Sequence, residues 1–179
     1  TRTQTNDTRP ASAGFEAAYL ALHRSGELKR RAGALRDMMG ACRLCPRECG
    51  VNRLQGEAGF CRAPGARLVV SSAQPHFGEE DPLVGRNGSG TIFFSHCGLR
   101  CSFCQNWEVS LEGEGAECGA GDLAAMMLGL QGLGCHNVNL VTPTHYAAHI
   151  LEALELAAGQ GLRVPVVYNT SGWERLEVL

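Results

Sequence analysis

The sequence predicts an α/β protein whose strands form a parallel sheet, and three observations lead there. Short apolar runs recur at residues 91–94, 138–141 and 164–168, and each is followed by a segment with helical periodicity. Strands that alternate with helices form right-handed βαβ units. Polar and cysteine-bearing segments come directly after each run: Cys97, then residues 142–145, then residues 169–172. Chemistry gathers at the C-terminal ends of strands in parallel α/β folds.

The elements follow in order. Residues 1–14 are polar and read as a disordered tail. Phe15, Tyr19 and Leu22 share a helical face that Ser25 and Gly26 interrupt. Leu28, Ala32, Leu35 and Met39 recur at i, i+4, i+7 and i+11, which predicts a second amphipathic helix ending at Gly40. Residues 68–70 read as a strand. Residues 74–90 carry two prolines and four glycines and read as a long loop.

After the strand at 91–94, Asp122 is placed to cap a helix whose apolar face is Leu123, Met126, Met127 and Leu130. The strand at 138–141 leads to a helix marked by Ala147, Ile150, Leu151 and Leu154, stopped near Gly159 and Gly161. The strand at 164–168 leads to the start of a third helix at 173–179. The division expected is a four-cysteine helical and loop module over 15–90 and an α/β core over 91–179. Three βα units cannot close a barrel, so the core is expected to be the N-terminal half of a longer one, or to need a partner along its open edge.

Composition narrows the function. The chain of 179 residues has a net charge of −2, which offers no footprint for nucleic acid or an anionic membrane. No apolar run approaches the roughly 20 residues of a membrane helix, and no secretory h-region precedes residue 15. A cytoplasmic, reducing setting is expected. Nine cysteines are present: Cys42, Cys45, Cys49 and Cys61 early, then Cys97, Cys101 and Cys104, with Cys118 and Cys135 alone. Clustered cysteines in a reducing compartment read as metal ligands rather than disulfides, and the two isolated thiols read as ordinary residues.

The three central cysteines form a C-x3-C-x2-C segment just after a strand. Three thiolates so close in sequence suit three corners of a [4Fe–4S] cluster, leaving one iron open for chemistry. A structural zinc site borrowing His96 is the competing reading, although zinc favours paired C-x2-C knuckles. The early set has the spacing C-x2-C-x3-C-x11-C, enough for a closed tetrahedral site. Zinc and a second [4Fe–4S] cluster both suit four thiolates. His145 and His149 share the i, i+4 spacing of a zinc pair without an intervening glutamate. His145, at a strand end, is the candidate acid/base residue, and His149 a packing residue.

Taken together these motifs resemble the radical S-adenosylmethionine (SAM) superfamily. More narrowly, they resemble proteins similar to pyruvate formate-lyase activating enzyme. The resemblance runs from about Tyr19 onward and includes the segments at 42–53, 59–61, 76–80, 88–94, 101–106, 141–145 and 168–172. It implies a partial (βα)6 TIM-type barrel, of which this chain supplies the first three βα units. It also implies that Cys97, Cys101 and Cys104 hold a [4Fe–4S] cluster, that SAM chelates the open iron, and that Phe103 packs near the adenine.

Thr142 and Thr144 stand where many members carry a Gly-Gly-Glu-Pro-type segment, and Asn169 and Ser171 are placed to reach the SAM carboxylate or ribose. A reductant such as flavodoxin or ferredoxin is implied. Hydrogen abstraction from a protein glycine is the substrate class suggested by analogy. The competing classes are a non-enzymatic iron–sulfur electron carrier, a zinc-stabilised binding module, and an inactive fragment.

Overall fold

The fold was analysed in a computed structural model that describes residues 15–179. The tail expected over 1–14 lies outside the described residues. Five strands form one mixed sheet in the order β3-β1-β2-β4-β5. In chain order these are β1 (Leu68–His76), β2 (Ser89–Phe94), β3 (Ala116–Cys118), β4 (Val138–Val141) and β5 (Val166–Asn169). β1 pairs antiparallel with both β2 and β3, whereas β2–β4 and β4–β5 are parallel.

The helices are α1 (Ala18–Arg24), α2 (Glu27–Asp37), the single turn α3 (Asp81–Val84), α4 (Ala120–Gly132) and α5 (Ala147–Gly159). Alternation along the strands turns Leu68, Val70, Ile92, Phe94, Val138 and Leu140 to one face, where they meet Leu123, Met127 and Leu130 of α4 and Ile150 and Leu154 of α5. Each such side chain, fully buried, contributes about 2 kcal/mol of hydrophobic stabilisation. α4 and α5 pack on one another, and α2 packs on α5.

Several local expectations are corrected. Residues 74–90 are not one long loop. β1 continues to His76 and β2 begins at Ser89, so the two strands form a ladder from Val70↔Phe94 to His76↔Ser89. Pro75 is admitted opposite Gly90 because its missing N–H is tolerated where the ladder ends. Residues 173–179 are irregular with one turn at 176–178 and form no helix. Asp122 lies three residues past the N-cap, Gly119, and its carboxylate accepts the Gly119 N–H at 2.8 Å. Phe15 is exposed, and Ala17, Tyr19 and Leu20 are buried in its place. The short edge strand β3 has no apolar alternation to announce it.

A second, smaller core joins Leu35, Met39, Cys42 and Leu44 to Ala147 and Ala148 at the start of α5. The early cysteine loop is therefore seated on the helix that follows β4. Arg53, in the 3-10 turn Arg53–Gln55, is only 1% exposed. Its Nη1 donates to the His145 carbonyl at 2.6 Å and its Nη2 to the Pro64 carbonyl at 3.1 Å. Gly65 must lack a side chain, since a Cβ there would overlap the Arg53 carbonyl.

His149, on α5, is 3% exposed and neither ring nitrogen has a hydrogen-bond partner. Burial, aided by the Arg53 and Arg36 charges, lowers its pKa to about 4. The unfolded chain binds a proton there near pH 6.5, so stability from the neutral ring is lost as pH falls from 6.5 toward 4. We predict that His149→Leu flattens the pH dependence of unfolding, removing about 2 kcal/mol of the wild-type loss between pH 7 and pH 5. Urea titrations at the two pH values measure this, and parallel wild-type and variant profiles would contradict it.

Candidate metal and cofactor site

β2, β4 and β5 run parallel in a register that aligns Phe93 with Val141 and Val141 with Asn169. The loops that follow them therefore leave the sheet at one rim. Cys97, Gly98 and Leu99 from the first loop, Thr142, Thr144 and His145 from the second, and Ser171 and Trp173 from the third line one cleft. Cys45 of the early cysteine loop completes its wall. Hollows of about 420 to 700 Å³ on the helical side include no cysteine in their walls. The cleft itself encloses about 10 Å³, room for about one water.

Backbone strain concentrates at this rim and in the early cysteine loop. Five described residues other than glycine have positive φ: Glu48, Arg62, His96, Arg100 and Thr142. Glu48 precedes Cys49, Arg62 follows Cys61, His96 precedes Cys97, Arg100 precedes Cys101, and Thr142 follows β4. A β-branched residue at φ 56° is a genuine outlier, and such strain persists where the surroundings over-determine it, which is often at a functional site. Here the Thr142 N–H is held by the Asn169 carbonyl at 3.1 Å.

The triplet loop is stitched by its own groups. The Leu99 N–H approaches Cys97 Sγ at 3.4 Å, the Cys104 N–H donates to the Cys101 carbonyl at 3.2 Å, and Ser110 Oγ donates to Cys104 Sγ at 3.1 Å. Ser110 lies in a π-helical turn, Glu108–Glu112, immediately after the loop. All three thiols are partly buried. Gly113 keeps the His96 ring in place, since a Cβ at that position would collide with it.

The remaining predicted residues are distributed unevenly. Phe103 projects outward, 88% exposed. The Asn169 side chain is exposed and does not line the cleft. Thr144 Oγ1 donates to Glu174 at 2.6 Å, and Thr170 Oγ1 donates to the same carboxylate oxygen. His145 is 2% exposed, with Nε2 donating to the Ser95 carbonyl at 2.9 Å, which leaves Nδ1 as a buried lone pair without a partner. Burial first, then the Arg53 charge, lowers its pKa to about 3, so the ring is neutral across the physiological range.

The early cysteines lie in a separate loop. Cys42, Cys45 and Cys61 are buried and Cys49 is partly so. Burial raises the Cys45 and Cys61 thiols, and both also feel neighbouring thiols of the set. A Cβ on Gly59 would stand 2.8 Å from Cys49 Sγ, so that glycine makes room for the sulfur. Among the described residues, no three His, Cys, Asp or Glu side chains form a group able to hold one metal ion as they stand. In donor chemistry, the triplet suits an anionic iron–sulfur core, with N–H and O–H groups directed at sulfur. The early set supplies four thiols, a donor set that suits zinc or a cluster.

Two residues of the site carried no readable signal. Arg47 donates from Nε to the Gly98 carbonyl at 3.1 Å, with its guanidinium 3.9 Å from the Phe60 ring centre and 4.9 Å from that of Trp173. Arg53 reaches His145 as described. Arginines in a polar cysteine loop look like solvated surface, and nothing in their spacing marks them as buried or stacked.

A stretch of 69 residues is 45% identical to an uncharacterized protein of Methanocaldococcus jannaschii, covering 38% of this chain and 19% of that protein. No protein-family model matches the chain, and no solved structure matches it. Among the described residues, no helix is long and apolar enough to cross a membrane.

The strain at Thr142 is measurable. Thr142→Gly removes the Cβ that opposes φ 56° and should raise stability by about 1 kcal/mol despite the entropy glycine brings to the unfolded chain. Denaturant midpoints check this, and a loss of stability would show that the threonine side chain contributes more than the strain costs.

Proposed function

We propose that this chain carries the cluster- and cofactor-binding part of a radical SAM iron–sulfur enzyme. The observation that carries the reading is the sharing of one cleft by Cys97, Thr142, Thr144 and Ser171, at the C-terminal ends of three parallel strands. Strained backbone at His96, Arg100 and Thr142 adds support. In this reading Cys97, Cys101 and Cys104 hold a [4Fe–4S] cluster, which when bound supplies the electron for reductive cleavage of SAM. The substrate class that analogy suggests is a protein glycine.

The chain's own residues then have defined tasks. The Leu99 N–H and Ser110 hydroxyl lower the charge density on the Cys97 and Cys104 sulfurs. Thr142 and Ser171 offer polar groups toward SAM, and Phe103 is free to fold over the adenine. His145 is better suited to holding the Ser95 carbonyl than to proton transfer, because burial keeps it neutral.

A non-enzymatic electron carrier is the second reading, favoured by the presence of two cysteine sets on adjoining loops. Anaerobic reconstitution with iron and sulfide, followed by SAM and dithionite, tests both. The enzyme reading expects bound iron and sulfide and accumulation of 5′-deoxyadenosine, lost in Cys97→Ala. Iron and sulfide without 5′-deoxyadenosine favour the carrier. Zinc alone without sulfide contradicts both.

A further inference from the structure

Arg47 is exposed, yet groups from three separate segments surround its side chain. Its Nε donates to the Gly98 carbonyl at 3.1 Å, and its guanidinium lies 3.9 Å from the Phe60 ring centre and 4.9 Å from that of Trp173. Phe60 belongs to the early cysteine loop, Gly98 to the triplet loop and Trp173 to the loop after β5. Gly98 and Trp173 both line the cleft that Cys97 lines. The backbone brings the arginine there. A turn closed by the Glu48 N–H on the Cys45 carbonyl at 3.1 Å carries Cys45 in the cleft wall and Arg47 two residues on. Pro46 between them suits the turn through its fixed φ. The early and triplet loops also meet directly, since a Cβ on Gly98 would stand 3.6 Å from Cys45 Sγ.

We propose that Arg47 is a clasp on this cleft: its stacked guanidinium pins the triplet loop to the loop after β5 and shields the Cys97 thiol from reagents in solvent. The inference stands apart from the choice of ligand, because it needs only the loops and the thiol. A surface arginine gains little from one contact, but a guanidinium offers planar faces for stacking and a fork of N–H donors at once. Here two rings and a carbonyl from three segments use them together. Lysine has no planar group and cannot bridge the three. Glu48, the next residue, pairs with Arg175, so the same turn has a second tie to the chain beyond β5. Opening the clasp releases Gly98 and Trp173, and the partly buried Cys97 beside Gly98 becomes reachable. Arg47 is a positioning residue.

Iodoacetamide alkylation of the full chain, reduced, metal-free and anaerobic, tests this, with the rate at each cysteine read by peptide mass spectrometry. Arg47→Ala should speed alkylation of Cys97 by about fivefold or more. Cys118 and Cys135, buried and outside the cleft, should keep the parent rates. Arg47→Lys should react like Arg47→Ala, because the charge stays but the stacking is lost. Arg47→Ala should add no further acceleration once Trp173→Leu is present, since both break one clasp. Removing a cation by itself lowers the thiolate fraction of a neighbouring thiol and slows its alkylation, so acceleration isolates the opening.

An unchanged or slower Cys97 rate in Arg47→Ala overturns the clasp. So does a parallel rise at Cys118 and Cys135, which marks general loosening. Parent-like protection in Arg47→Lys assigns the effect to charge and overturns the stacked clasp as well. Should Arg47→Ala fail to fold, Trp173→Leu decides by the same rates. SAM cleavage by the reconstituted protein is a separate assay, so neither result decides the other.

Discussion

Parallel pairing of β2 with β4, and of β4 with β5, is the constraint on which the candidate site depends. Because the strands point the same way, the loops beginning at Ser95, Thr142 and Thr170 emerge together, although 75 positions separate Ser95 from Thr170. An antiparallel arrangement would send alternate loops to opposite edges and leave Cys97 alone. The helical face of the sheet supplies the hydrophobic stabilisation that holds this register. The rim then carries residues in left-handed conformations that would be unfavourable on their own.

The second structural theme is contact between the two cysteine sets. Arg47 stacks between Phe60 and Trp173 while donating to Gly98, and Glu48 pairs with Arg175 beyond β5. Together with the buried Arg53, these contacts tie the early loop to the strand ends at three points. The exposed Glu48 pair contributes little by itself. The stacked and buried arginines matter more, because removing either leaves carbonyls or rings without their partner. The early cysteine loop thus behaves as part of the rim.

Much of the architecture was legible in the residues, and what escaped has physical causes. Short apolar runs marked β2, β4 and β5. Helix periodicity marked α2, α4 and α5. The second half of β1 was hidden because Pro75 and the glycines at 85, 88 and 90 look like loop punctuation; here Gly90 lies against the Asn137 carbonyl, where a Cβ would approach within 2.6 Å. β3 is too short and polar to show. The irregular segment at 173–179 replaces a predicted helix whose hydrophobic face has little to pack on, with Leu176 and Leu179 exposed.

At the site, cysteine spacing and position after a strand were readable, because ligand sets leave a linear trace. Arg47, Arg53 and Glu174 were not, since their partners lie on distant loops. The proposed function turns on whether the triplet presents an iron to SAM within this rim. Electron–nuclear double resonance on the reduced, reconstituted protein with carboxylate-¹³C SAM tests it most directly. The expected result is a changed cluster signal and a resolved ¹³C coupling that vanishes without SAM. Identical spectra with and without SAM, from a cluster present at full occupancy, would contradict it.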